Sequence, residues 1–166
     1  MISDSLKAKA KKIKLMITDI DGVWTDAKMY YTSDGEFMKS FSTYDGMATH
    51  LLKKAGIPTA IITGENSGPV AARAKKLKID DVYLGVDDKL EVFESLLLKY
   101  SLGPDEVAYI GDDINDYLVM QVAGLTASPA STPAFHILKP DILLDRVGGD
   151  GAFREFADII LACQDQ

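Results

Sequence analysis

Asp19 and Asp21 stand two residues apart where an apolar run, Ile13 to Ile20, breaks into Gly22. Two carboxylates held that close repel one another, so the pair makes sense where a cation or a shared proton lies between them. A second acidic segment, Gly111-Asp112-Asp113-Ile114-Asn115-Asp116, directly follows the apolar run Val107 to Ile110. Without a cation, so many acids are a costly way to end a parallel strand. The segment is not a calcium loop, because an EF-hand counted from Asp113 needs an oxygen ligand at Tyr117 and a glycine at Leu118. Asp112, earliest in the turn, is the better metal ligand, whereas Asp113 and Asp116 also suit a helix N-terminus. Thr63-Gly64 ends a third apolar run, Ile57 to Ile62, and offers a hydroxyl and a flexible backbone N–H to a phosphoryl oxygen. Lys89 opens a helix, where a cation opposes the dipole. Each feature alone has an ordinary reading as a cap or a solvated side chain. Together, at strand ends and a helix start, they define a site.

Those residues need elements to bring them together. Strand and helix patterns alternate along the chain, which predicts an α/β fold with a doubly wound parallel sheet. Strand 1 is expected over Lys14 to Asp19, ending in the turn with Gly22, Thr25 and Asp26. A hairpin at about 29–41 follows, Met29 to Thr32 and Glu36 to Phe41 flanking Asp34-Gly35. Further strands are expected at Pro58 to Thr63, Val82 to Leu84 and Val107 to Ile110, with short edge strands at Gly124 to Ala127 and Ile142 to Leu144. Helices are expected at Met47 to Ala55, Val70 to Leu77, Leu90 to Tyr100, Asn115 to Val122 and Ala152 to Ala162.

A chain of 166 residues fits one domain, 1–166. Its formal charge of -7 argues against nucleic acid as a partner. No apolar run is long enough to span a bilayer as a helix. The single cysteine, Cys163, cannot pair within the chain, so a reducing cytoplasm is the expected compartment. The basic start, Lys7 to Lys14, is expected to be a solvated leader.

With these motifs in place, the chain resembles the haloacid dehalogenase-like phosphatases from about Lys14 to the C-terminal helix. The first motif of that family matches Asp19-Ile20-Asp21-Gly22-Val23-Trp24-Thr25-Asp26, the second Thr63, the third Lys89 and the fourth Gly111 to Asp116. Within the family it is most similar to the phosphatases of 3-deoxy-2-ulosonic acid phosphates, whose tail motif matches Gly148-Gly149-Asp150-Gly151-Ala152-Phe153-Arg154-Glu155. The resemblance implies Mg2+ held by the Asp19 carboxylate, the Asp21 backbone carbonyl and the Asp112 carboxylate. It also implies an aspartyl-phosphate on Asp19, with Asp21 as general acid and base, and phosphate bound by Thr63, Gly64 and Lys89. Asp113 and Asp116 would support the metal and Lys89.

Two intervals that often hold a cap domain in this family are short here, so the chain is expected to be capless. Tyr30, Tyr31, Phe37 and Phe41 give the hairpin an apolar surface that would need cover. The resemblance implies a homotetramer in which hairpins meet and the tail, about 148–166, covers a neighbouring site with Arg154 on the substrate carboxylate. Glu65 follows Thr63-Gly64 where the octulosonate 8-phosphate phosphatases typically have arginine. The chain is more similar there to the phosphatases of 2-keto-3-deoxynononate 9-phosphate, with glutamate at that position and basic residues matching Arg73 and Lys76, which share one helix face; the resemblance favours that substrate, the octulosonate phosphate being the alternative. Two rivals are disfavoured. In a phospho-acceptor signalling domain the acidic pair precedes the phosphorylated aspartate, the reverse of the order here. A catalytically silent module would have lost at least one of Asp19, Asp21, Lys89 or Asp112, and none is missing.

Overall fold

The computed structural model describes residues 3–164, so positions 1–2 and the last two of the tail lie outside the described residues. Six parallel strands make the main sheet: β1 (Leu15–Thr18), β4 (Thr59–Ile62), β5 (Asp81–Tyr83), β6 (Val107–Ile110), β7 (Leu125–Ser128) and β8 (Ile142–Leu143). Their order is β5-β4-β1-β6-β7-β8. The chain therefore winds outward from β1 in one direction, then crosses β1 and winds outward in the other.

Side-chain alternation divides the core between the two faces of the sheet. Met16, Ala108 and Ile110 join a buried cluster with Leu52, Val70, Phe153, Phe156 and Ile160. Helices α1 (Asp4–Ala10), α2 (Thr43–Lys54), α3 (Gly68–Leu77) and α7 (Ala152–Gln164) cover that face. Leu15, Ile17, Val107 and Tyr109 pack on the other with Phe93, Leu96, Val119 and Leu138. These belong to α4 (Lys89–Tyr100), α5 (Tyr117–Val122) and α6 (Phe135–Leu138). Each fully buried large side chain contributes roughly 1.5–3 kcal/mol to folding, so β1, buried at all four positions, is a stiff base for Asp19.

The hairpin forms a separate two-stranded sheet, β2 (Tyr30–Thr32) and β3 (Gly35–Met38). Only this hairpin separates β1 from α2, and only α3 and β5 separate β4 from α4. The capless architecture follows directly.

Three expectations change. The basic start is not a solvated leader: Ser3 caps α1 by accepting from the Leu6 N–H at 3.3 Å, and Ala10 and Ile13 are buried. Its lysines reach acids of the core, Lys9 to Asp141 at 2.6 Å and Lys14 to Glu106 at 2.6 Å. The strand at Leu125–Ser128 is not an edge, because it pairs with both β6 and β8 and every position is buried. The acidic turn begins as a single 3-10 turn, Ile114–Asp116, before α5 starts at Tyr117.

Candidate active site

β1 lies between β4 and β6, with Thr18 in register with both Ile61 and Ile110. Asp19, Thr63 and Gly111-Asp112 thus leave the sheet side by side at its carboxyl edge. The strand order reverses between β1 and β6, and that crevice is where open α/β sheets bind ligands.

The end of β1 is fixed by its neighbours. The Asp19 N–H donates to Ile110 O at 3.0 Å. Trp24 Nε1 donates to the Thr18 hydroxyl at 3.0 Å, and that hydroxyl donates to Asp19 O at 2.6 Å. Trp24 itself is fully buried and stacks on Phe153 of α7, with ring centroids 4.8 Å apart. Gly22 has φ of +83°, and a Cβ there would stand 1.8 Å from Asp112 Oδ2. Only glycine lets the two acidic loops approach so closely. Gly148 is confined in the same way, since a Cβ would stand 1.9 Å from Gly22 O, and the Gly149 N–H donates to Val23 O at 3.0 Å. The glycine-rich segment is therefore seated against the loop that follows Asp19 in its own chain.

Asp116 is the organising acid of the floor. Its Oδ1 accepts from Lys89 Nζ at 2.7 Å and from the Tyr109 hydroxyl at 2.6 Å, and its Oδ2 accepts from the Asp112 and Asp113 N–H groups at 2.9 and 3.3 Å. Lys89 also meets Asp19 Oδ1 at 3.0 Å. Burial opposes the Lys89 charge, but Asp19 and Asp116 outweigh it and hold the ammonium above the ordinary lysine value. At the N-terminus of α4 the Asp88 carboxylate accepts from the Leu90 and Glu91 N–H groups, leaving Lys89 to fold back into the site.

Asp19, Asp112 and Asp116 bring carboxylate oxygens within 4.8 Å of one another. Burial, then repulsion from Asp116, raises Asp19 to about 7, against the pull of Lys89. Burial, then Asp19 and Asp116, raises Asp112 to about 8. Asp116 is already saturated by four donors and shares the Lys89 ammonium with Asp19, so the Asp19–Asp112 pair carries more negative charge than Lys89 offsets. A hard divalent cation with oxygen ligands relieves that repulsion, and the donor set fits Mg2+.

Thr63, Gly64 and Glu65 line the cleft with Asp19, Asp21 and Asp112. Thr63 is buried and Glu65 exposed. Asp113 is exposed too, and its carboxylate accepts from its own chain's Ile114 N–H at 2.7 Å. Arg73, Lys76 and Arg154 do not line the cleft in this chain. Arg73 donates to Ser42 O at 3.2 Å and lies over Phe41, Lys76 is exposed on α3, and Arg154 pairs with Asp158 at 2.8 Å.

Sequence reasoning missed Lys39 and Tyr109. Lys39 follows β3, is buried, and pairs with Asp21 Oδ1 and, at 2.9 Å, with Glu36. Tyr109 sits mid-strand in β6, where it reads as core. Two strand positions before the acidic turn, its hydroxyl was the only hint.

The haloacid dehalogenase-like hydrolase family matches residues 39–124. The chain belongs to that family. It is 37% identical over 163 residues to the 3-deoxy-D-manno-octulosonate 8-phosphate phosphatase KdsC of Escherichia coli strain K12, covering 98% of this chain and 87% of that protein. Its fold superposes on the crystal structure of the phosphatase of that name from Yersinia pestis with a TM-score of 0.95 at 37% identity, covering 99% of this chain and 89% of that one. The Moraxella catarrhalis phosphatase, solved with magnesium, phosphate and KDO, gives 0.93 at 36% identity, covering 99% and 94%. The capless core, the tail motif and these relatives together place the chain among the ulosonate phosphate phosphatases of the family.

Proposed function

We propose that this phosphatase hydrolyses 3-deoxy-D-manno-octulosonate 8-phosphate through a phosphoaspartate on Asp19. The observation that carries the chemistry is the contact of Asp19 with Lys89, itself pinned by Asp116, at the sheet's switch point. The similarity to octulosonate phosphatases over nearly the whole chain supports the substrate and outweighs the nine-carbon preference drawn from Glu65.

Asp19 Oδ attacks phosphorus, and the bond from phosphorus to the sugar oxygen breaks as Asp21 gives that oxygen a proton. Asp21 then takes a proton from water, which attacks phosphorus and frees the Asp19 carboxylate. Lys89, with Thr63 and the Gly64 N–H, neutralises and orients the phosphoryl oxygens. Asp19, Asp112 and the Asp21 carbonyl would hold Mg2+, which would supply charge neutralisation between the nucleophile and the phosphate. Asp116 keeps Lys89 charged and in place, and Asp113 braces the turn carrying Asp112.

The nine-carbon substrate remains a second reading on one observation: Glu65, at the cleft rim, can accept a hydrogen bond from a sugar hydroxyl and arginine cannot. Measuring kcat/KM for both phosphates on the wild type and on Glu65→Arg separates them. A preference for the octulosonate phosphate supports the proposal, and a preference for the nononate phosphate overturns it.

The proposed active unit is a cytoplasmic homotetramer. Tyr31 and Phe37 expose 63% and 69% of their surface, an apolar hairpin face suited to a second copy. Arg154 and Arg146 border a hollow at α7, from which Arg154 would reach the carboxylate of a substrate bound in a neighbouring chain, with the tail helping to cover that site. Arg73 and Lys76 would act only from the periphery. Light scattering that finds a fully active monomer contradicts this assembly.

A further inference from the structure

Asp21 is held by a partly buried ion chain that begins outside its own loop. Its Oδ1 receives the Lys39 ammonium. Lys39 comes just after the second hairpin strand, and its side chain is fully shielded from solvent. The same ammonium meets Glu36 Oε1 at 2.9 Å, one helical-like step back along the hairpin. Glu36 Oε2 in turn accepts from the Ser67 hydroxyl, and Ser67 caps α3 by accepting from the Val70 N–H at 3.4 Å. The chain of contacts runs from the α3 N-terminus through the hairpin to the carboxylate beside the nucleophile.

Lys39 is fully shielded and its carboxylate partners Asp21 and Glu36 are 21% and 14% exposed, so the contacts carry a desolvation cost that attraction repays only with good geometry. An apolar contact would anchor a hairpin more cheaply, so the ion chain is explained better by where it puts Asp21 than by stability. Burial opposes the Lys39 charge, but Asp21 and Glu36 outweigh it, so the ammonium persists. Lys39 occupies one Asp21 oxygen and leaves the other, Oδ2, buried with no hydrogen-bond partner. A side chain that must pass a proton to the departing oxygen and later take one from water needs one free oxygen at a fixed place, because proton transfer depends on reach before it depends on affinity.

We infer that Lys39, braced by Glu36 and Ser67, is the positioning residue that fixes the general acid and base Asp21, which makes the hairpin part of the catalytic apparatus. The inference rests on the phosphatase reading and adds to it a residue from outside the four family motifs. Lys39 pairs with Asp21 and Glu36 and does not line the cleft, so its loss would act on proton transfer and not on phosphate binding.

The test compares two substrates on Lys39→Met, using the full chain with Mg2+. The ulosonate phosphate leaves as an alkoxide and needs the proton, whereas p-nitrophenyl phosphate leaves as a stabilised phenolate and does not. Because kcat/KM reports the steps through the first chemical one, it isolates departure of the leaving group. We expect kcat/KM for the sugar phosphate to fall on the order of a hundredfold, while that for the aryl phosphate stays within about threefold. Glu36→Gln, which keeps the hairpin but loosens Lys39, should show the same selective loss at smaller size. This second variant carries the test if Lys39→Met does not fold. Equal losses on both substrates, or no loss, would overturn the inference and assign the ion chain to hairpin anchoring alone. An inactive wild type on both phosphates would instead sink the phosphatase reading.

Discussion

The floor of the cleft and its rim are built by opposite rules. On the floor, Asp116 spends both oxygens on four donors, and Lys89 and Tyr109 are buried around it. At the rim, Glu65 is exposed, and Tyr31 and Phe37 present apolar surface to solvent. Saturated buried groups fix geometry but can serve only one chemistry. Exposed groups can change with little cost, so under the proposed function the floor would carry phosphoryl transfer and the rim would choose substrate and assembly. Lys39 joins the two, being buried like the floor but carried by the hairpin.

If the floor works as a unit, removing its acids must do far more than trimming the rim. Asp19→Asn should lower kcat/KM by on the order of a thousandfold or more while circular dichroism and melting stay near wild type. Residual activity within tenfold of wild type would mean another nucleophile. Asp116→Ala leaves Lys89 buried with one partner fewer and exposes the Asp112 and Asp113 N–H groups to an empty space. A stability loss of roughly 3–5 kcal/mol is expected by denaturant titration, accompanied by a fall in kcat. An Asp116→Ala protein as stable as wild type would show that the floor is not held together by this acid.

The acidic pair sharpens the comparison through protons. In the metal-free protein burial and mutual repulsion raise Asp19 to about 7 and Asp112 to about 8. Mg2+ requires both ionised, so its binding at neutral pH must release protons and tighten as pH rises from about 6 to 8. Calorimetry in buffers of different ionisation enthalpy measures the release. A binding enthalpy independent of buffer contradicts it.

What the sequence could and could not tell follows from range. Asp19, Thr63, Lys89 and Asp112 were legible because each sits at the end of an element whose pattern is local, and the parallel order then forces the ends together. Lys39 was not, because its partner Asp21 is reached only when the hairpin folds back, and no periodicity records that. Arg73 was made a substrate ligand by the resemblance alone; within this chain its guanidinium donates to Ser42 O and lies over Phe41. The helix α1 was hidden because its few apolar positions, Leu6 and Ala10 among them, lie in a lysine-rich run and find their partners at the far end of the chain, in α7.

Asp45 was likewise unreadable and gives a smaller test, away from the cleft. It precedes the helix expected from Met47 and lies in the first turn of the observed α2, where it is buried and accepts from the Arg154 N–H at 2.9 Å, capping α7. Burial raises it to about 6, against the backbone N–H groups of Arg154 and Gly151. Its folded value lies above the unfolded one, so the protonated form favours folding. Stability should therefore decline as pH rises from about 4 to about 6 and stay level above. Asp45→Asn should remove that slope, on the order of 2 kcal/mol, seen in the difference between the two curves of melting temperature against pH. Parallel curves would contradict the assignment. At the rim, Tyr31→Ser should change monomer stability by less than about 0.5 kcal/mol, a loss confined to assembly.

The central claim is double displacement at phosphorus through Asp19, and its most direct measurement is the stereochemical course. A phosphorothioate of the substrate, made chiral at phosphorus with two oxygen isotopes, is hydrolysed in water carrying the third, and the configuration of the product thiophosphate is read. Two in-line steps through a phosphoaspartate predict net retention. Net inversion would mean a single attack by water and would contradict the account.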